Sequence, residues 1–164
     1  MSDAAVIHAV FHEVFGRQPD FLSSFNDRLL AQKTIYLLQR LGVTCGDYSF
    51  RWYKHGPYSQ QLQNTLLESS PSSDDLEKIT FSKIGHSNIE KIKGMLEEPH
   101  APYDEAQWFE ALGSIQYLKR YRFPLLSRDN IISKLSELKP GLRDHLANSR
   151  AYDVLKKYSL IIDY

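Results

Sequence analysis

The stretch "FRWYKHGPYS", residues 50 to 59, concentrates aromatic and cationic side chains directly before a Gly-Pro pair. Aromatic and polar residues alternate in its first part, which is the period of a β-strand, and these residue types favour strands. Phe50 and Trp52 then share one face, which we expect to pack against a core. Gly56 and Pro57 predict a sharp reversal of the chain, because glycine permits unusual φ angles and proline restricts its own.

The opposite face of this strand carries Arg51 and Tyr53, with Lys54 and His55 just beyond it. Surfaces that combine aromatic rings with cations can stack on bases and pair with phosphates, and they also suit protein partners. The alternative is that these groups pair with each other or with acids of the same chain. We predict these four residues as the partner-binding site and keep the structural alternative open.

Amphipathic helices flank the strand on both sides. The strongest pattern runs from 26 to 41, where Asn26 or Asp27 can cap the first turn and Gly42 suits the end. A second helix is predicted over 59–68, with Ser59 as its N-cap.

Helical periodicity also predicts the rest of the chain. A polar, Pro-containing loop is expected over 68–75, and a second strand over 78–84 that pairs with the first as a small ribbon. Further helices are expected over 3–15, over 88–97 after Ser87, from Asp104, from Ser127, and in a last segment with Leu142, Leu146, Val154, Leu155 and Tyr158. The predicted fold is mainly α: a compact multi-helix single domain, 1–164, with a small two-stranded β element.

Composition excludes several classes of protein. A chain of 164 residues with 42% hydrophobic residues is typical of one globular domain. Its 20 basic and 20 acidic residues balance, so the chain as a whole is not a polycation. The only cysteine, Cys45, cannot form an internal disulfide, and the sequence shows neither a signal peptide nor an apolar run of membrane-spanning length. We therefore expect a cytoplasmic protein with no membrane partner.

Charge is distributed unevenly along the chain. Residues 117–150 carry eight basic and three acidic side chains. This pattern is typical of solvated helix faces, and it also supports an alternative function as a nucleic-acid-binding accessory protein. The cations that would make that contact lie between 119 and 150: Lys119, Arg120, Arg122, Arg128, Arg143 and Arg150.

No catalytic constellation is recognisable. His8 and His12 share one helical face, but the glutamate of a zinc hydrolase motif is missing from between them and no third ligand can be named. Cys45 lies in a turn without an assigned base. We predict no metal, no cofactor and no enzymatic activity, and we keep an atypical active site around Tyr53 and His55 as the weakest alternative.

The segment "AQKTIYLLQRLGVTCGDYSFRWYKHGPYSQQLQNTL", residues 31–66, resembles the YwgA-like family of uncharacterised prokaryotic proteins and, more distantly, the Panacea domain of phage-associated antitoxins. The family pattern joins a helix containing "QK" and "YLLQ" to an aromatic segment that ends in "HGPYS". The matching positions include the predicted structural motif of Gln32, Lys33, Trp52, Gly56, Pro57, Tyr58 and Ser59.

The resemblance implies a compact helical domain with a small β element. Because Panacea-type relatives neutralise toxins by protein contact, it also implies an interaction module, antitoxin-like or accessory to a phage-defence or mobile-element system. The implied partner is another protein, a toxin or a defence-system subunit, and no catalytic residue is implied. Gln32 and Lys33 are expected to reach polar groups of the Gly-Pro segment from the adjoining helix.

Overall fold

The computed structural model describes residues 3–68 and 70–163 of the chain. This part of the chain forms eight α-helices and one antiparallel β-hairpin, which confirms the predicted mainly α class with a two-stranded β element. The elements in chain order are α1 (Asp3–Phe15), α2 (Phe25–Arg40), β1 (Arg51–Tyr53), β2 (Gly56–Tyr58), α3 (Gln60–Leu66), α4 (Ser73–Glu77), α5 (Lys83–Glu97), α6 (Glu105–Tyr117), a π-helical segment (Leu118–Arg122), α7 (Arg128–Leu138) and α8 (His145–Lys157).

Helix α2 is the centre of the molecule. Every residue from 29 to 38 is buried, so the helix is enclosed on all sides and packs against α6, α5, α1 and the hairpin. Its start differs from the prediction, because Ser24 is the N-cap and its hydroxyl accepts a hydrogen bond from the Asp27 amide. The Asp27 carboxylate instead binds Arg17 and the Asp20 amide, which fastens the preceding loop to the helix.

The β-hairpin corrects the predicted ribbon. Its second strand is the Gly-Pro segment itself, with Trp52 opposite Pro57 and Tyr53 opposite Gly56. Proline is tolerated there because a two-stranded sheet consists of edge strands, where a missing N–H leaves no inner ladder broken. The predicted strand over 78–84 is wrong.

Strong local caps explain the errors around that segment. Ser82 accepts a hydrogen bond from the Gly85 amide and starts α5 five residues before the predicted position, so Ser87 lies inside the helix. Ser72 and Asp75 form a capping box that starts the short helix α4 within the predicted loop. In both caps a side-chain oxygen accepts a hydrogen bond from an amide of the first helical turn, and this favours a helix over a strand or a loop.

The second half of the chain follows the predicted starts of α6 and α7 at the N-caps Asp104 and Ser127. Trp108 of α6 is completely buried, and its indole N–H donates to the Met95 carbonyl at 2.8 Å. Leu146 lies in α8 as predicted, but in its first turn, where the side chain is 58% exposed, and Leu142 precedes the helix. Ala147, Ala151 and Leu155 form the buried face instead.

One hydrophobic cluster extends from Ile7 in α1 to Ile161 after α8. Phe50 and Trp52 pack against it from the hairpin, as the strand alternation predicts. Within the described ranges, none of the helices combines the length and apolar character that crossing a membrane requires.

Candidate partner-binding site

The hairpin is held from the inside by two side chains of α2. Gln32 Nε2 donates to the Ser59 carbonyl at 2.8 Å, and Gln32 Oε1 accepts from the Ser59 amide at 2.9 Å. Lys33 Nζ donates to the Pro57 carbonyl at 2.6 Å. All these groups are buried, so water does not compete for these hydrogen bonds in the folded protein. The prediction that Gln32 and Lys33 reach the Gly-Pro segment is confirmed.

A second lysine holds the turn of the hairpin. Lys139, just after α7, donates through Nζ to the Tyr53 carbonyl at 2.7 Å and also to the Lys54 carbonyl. The same ammonium lies 4.8 Å from the centre of the Trp52 ring, within cation–π range. Sequence reasoning missed this contact, because "KPG" indicates only a helix end and 86 residues separate Lys139 from Tyr53.

Glu110 of α6 supplies the compensating charge beneath the hairpin. Its carboxylate lies 3.0 Å from His55 Nδ1. Burial lowers the pKa of Lys33 to about 7, an effect that the charge of Glu110 partly opposes and that of Lys139 reinforces. Burial also lowers the pKa of Lys139, again opposed by Glu110. Burying the ammonium groups of Lys33 and Lys139 therefore costs desolvation free energy, and both groups hold the same hairpin.

Gly56 allows the hairpin to approach α6. Its φ is +88°, a region that side chains with a Cβ rarely adopt. A Cβ at this position would also overlap the buried hydroxyl of Ser114 on α6. The glycine that the sequence marks as a turn residue is thus required twice, by the backbone angle and by the close contact.

The outward side of the hairpin carries the four predicted partner-binding residues Arg51, Tyr53, Lys54 and His55, and all are exposed. We refer to these four residues as the hairpin rim. Tyr53 is 52% exposed, and Lys54 Nζ lies 5.8 Å from its ring centre. Among the residues that the structure describes, the guanidinium group of Arg51 makes no hydrogen bond, ion pair or ring contact.

A groove of about 310 Å³ runs between the rim and the first turns of α2. Phe25, 52% exposed, stands at its edge with its ring 5.2 Å from the His55 ring. Arg28 and Lys54 contribute cations, and none of the lining residues is acidic. The sequence alone does not assign Phe25 or Arg28 to the site. The predicted helix begins at 26, after Phe25, and the sequence does not show that Arg28 lies beside the hairpin.

The other candidate chemical groups lie elsewhere. His8 is buried edge-on against Phe21, with ring centres 4.8 Å apart. Burial raises the pKa of the Cys45 thiol to about 11, which keeps it protonated near neutral pH. Within residues 3–68 and 70–163, no three or more His, Cys, Asp or Glu side chains are grouped so that they could hold a metal ion.

The basic residues between 119 and 150 do not form a single exposed surface. Lys119 is only 4% exposed, and its Nζ donates to the carbonyls of Pro124 (2.8 Å) and Leu126 (2.7 Å). Arg128 is bonded through two nitrogens to Asp153. The remaining predicted nucleic-acid contacts are exposed or half-buried: Arg120, Arg122, Arg143 and Arg150. Lys119 is therefore corrected from a surface contact to an internal one.

Comparison with known proteins adds no family. No family model matches this chain, and no curated protein or solved structure is significantly similar to it. The resemblance of residues 31–66 to the YwgA-like family stays a prediction.

Proposed function

We propose that this protein is a non-enzymatic protein-interaction module that binds a partner protein through the hairpin rim and the adjoining groove. In the setting that the family resemblance implies, it is antitoxin-like or an accessory subunit of a prokaryotic phage-defence or mobile-element system. The observation that carries the proposal is that buried side chains of α2 and Lys139 hold the backbone of the hairpin, while the side chains of the hairpin rim are exposed.

Anchoring matters because it lowers the cost of binding. Gln32, Lys33 and Lys139 bond carbonyls at both ends of the hairpin, so its backbone has little freedom left to lose on association. A preorganised surface spends less of its interaction energy on ordering than a mobile loop does. Arg and Tyr, which the rim presents, are also the side chains that most often dominate the energetics of protein interfaces.

The groove indicates the chemistry of the partner segment. Its lining combines the cations Arg28 and Lys54 with the aromatic rings of Phe25, Tyr53 and Tyr58, and it contains no acidic residue. An acidic segment that carries an apolar or aromatic side chain fits this combination, because the ring fills the groove while carboxylates pair with the cations. We therefore expect a negatively charged binding face on the partner.

The test is a quantitative affinity purification from the native host with a charge-reversed rim, Arg51→Glu with Lys54→Glu. Lys83→Glu with Lys91→Glu on α5 is the matched control, since both residues are exposed and the change in net charge is the same. We expect the rim variant to recover at least tenfold less of a stoichiometric protein partner. Its free energy of unfolding should stay within about 0.5 kcal/mol of the parent protein, as for other surface changes.

Three outcomes would contradict this function. One is the absence of any stoichiometric partner. Another is equal loss of the partner with the rim and α5 variants, which would indicate general electrostatics. The third is recovery that disappears after nuclease treatment of the lysate, which would indicate that nucleic acid bridges the two proteins.

A further inference from the structure

A second cavity of about 480 Å³ lies at the opposite end of α2 from the groove. Gln39 and Arg40 of α2 form one wall, Arg120 and Tyr121 of the π-helical segment form another, and residues 159–162 close it. We refer to this space as the basic cavity. Its volume is within the range of small-molecule sites, and it shares no lining residue with the groove beside the hairpin rim.

The charged side chains that line the basic cavity are all basic. Arg40, Lys119 and Arg120 line it, and no acidic residue does. Lys119 already donates to two backbone carbonyls, so the two arginines are the groups to consider. In the described part of the chain, neither guanidinium lies within 4.0 Å of a carboxylate.

Both guanidinium groups gather around one aromatic ring. The Cζ atoms of Arg40 and Arg120 each lie 5.5 Å from the centre of the Tyr121 ring, and Arg40 also donates to the Tyr121 hydroxyl. These two positive charges have no carboxylate partner in the described part of the chain, so an anion bound beside them would be attracted to both. Guanidinium groups bind phosphate through paired, parallel N–H donors, which gives them an advantage over lysine for this anion.

The local backbone supports the same location. Helix α6 continues as a π-helix over Leu118–Arg122, closed by a hydrogen bond of 2.7 Å from the Phe123 amide to the Leu118 carbonyl. Such segments are rare and occur frequently at functional sites. Here the irregular turn contributes three consecutive residues, 119–121, to the cavity wall.

We infer that the basic cavity binds a small phosphate ester, with its phosphate bound by Arg40 and Arg120. The ester class follows from the basic lining and from a volume of about 480 Å³, which is much larger than a free phosphate ion. This binding does not depend on the hairpin rim and would persist in a protein whose rim is altered.

The test is calorimetric titration of the full chain with ribose 5-phosphate, AMP and adenosine in a low-salt buffer without phosphate. We expect ribose 5-phosphate or AMP to bind and adenosine, which lacks the phosphate, not to bind. Arg120→Gln should weaken binding of the ester at least tenfold. Arg122→Gln is the matched control, because Arg122 belongs to the same π-helical segment, is exposed and does not line the cavity, and it should keep the affinity within twofold.

The inference fails if neither phosphate ester binds to the folded protein, or if adenosine binds as well as AMP. It also fails if Arg120→Gln and Arg122→Gln weaken binding equally, since that result indicates a diffuse positive field instead of a site. Thermal unfolding of each variant without ligand identifies any loss of fold, and a folded Arg120→Gln protein that binds normally would equally overturn the inference.

Discussion

The hairpin and the basic stretch 119–150 both appear in the sequence as concentrations of positive charge, yet they use that charge in opposite ways. In the hairpin Arg51 and Lys54 are exposed to solvent. In the basic stretch Lys119 and Lys139 turn inward and donate to backbone carbonyls. The hairpin thus presents its own cations and is held by lysines that belong to other elements.

The difference indicates that a lysine side chain turns inward where backbone carbonyls lack another donor. Irregular segments leave carbonyls without partners, and a long side chain at a nearby helix end can reach them. Lys119 serves the segment after the π-helix in this way, and Lys139 serves the hairpin turn. In the two-residue turn, by contrast, the side chain of Lys54 is exposed and the carbonyl of the same residue accepts from Lys139.

Gly56→Ala should have the largest effect, because it should displace the hairpin from its packed position against α6. We expect a loss of about 3 kcal/mol in the free energy of unfolding, because an alanine at φ +88° is strained and its Cβ overlaps Ser114. Chemical denaturation measures the loss directly.

Two other glycines separate the causes of that loss. Gly42 has a φ of +92° with open space around it, so Gly42→Ala should cost about 1 kcal/mol for backbone strain alone. Gly141→Ala, at a position without a positive φ or a close neighbour, should cost less still. If Gly56→Ala is no worse than Gly42→Ala, the hairpin does not depend on its contact with Ser114.

The inward role of Lys119 predicts the next largest effect. Lys119→Met should cost about 2 kcal/mol, because it leaves the carbonyls of Pro124 and Leu126 without their donor. Arg122→Met, in the same segment but exposed, should stay within about 0.5 kcal/mol. Equal effects of the two substitutions in denaturant unfolding would show that the distinction between inward and outward cations is wrong.

The smallest effect, counted per pH unit, is the change in stability with pH that follows from anchoring the hairpin with buried lysines. The pKa of Lys33 is about 7 in the folded protein, while the ordinary value is 10.5. Between these pH values the unfolded chain binds more protons at this site, so stability should rise with pH, by at most about 1.4 kcal/mol per pH unit for one proton. Unfolding measured at pH 7, 8 and 9 should show this rise.

Lys33→Met should reduce that pH dependence without abolishing it, because burial also lowers the pKa of Lys139. The control is Lys91→Met on the exposed face of α5, which should leave the slope unchanged. An unchanged slope in the Lys33→Met protein would mean that this ammonium keeps an ordinary pKa and that its burial has no electrostatic cost.

The candidate site could be predicted only in part, and the reason differs from residue to residue. Strand alternation correctly assigned Trp52 to the core side and Arg51 to the outside, since successive side chains of a strand point to opposite faces. Phe25 and Arg28 were missed because the groove exists only where α2 meets the hairpin. The second strand was misplaced because Gly56-Pro57 indicates a turn, and only the pairing with residues 51–53 makes it a strand.

Local order along the chain is enough to specify the helical class, the caps at Ser59, Asp104 and Ser127, and the two faces of the aromatic strand. These features depend on residues within a few positions of one another, where spacing and side-chain chemistry are visible in the sequence. Contacts between distant segments specify the rest: the anchoring of the hairpin by Lys139, the approach of Gly56 to Ser114, and the convergence of Arg40 and Arg120 on one ring. No local pattern contains them, because they depend on which carbonyls, hydroxyls and rings the packed helices bring within a few ångströms.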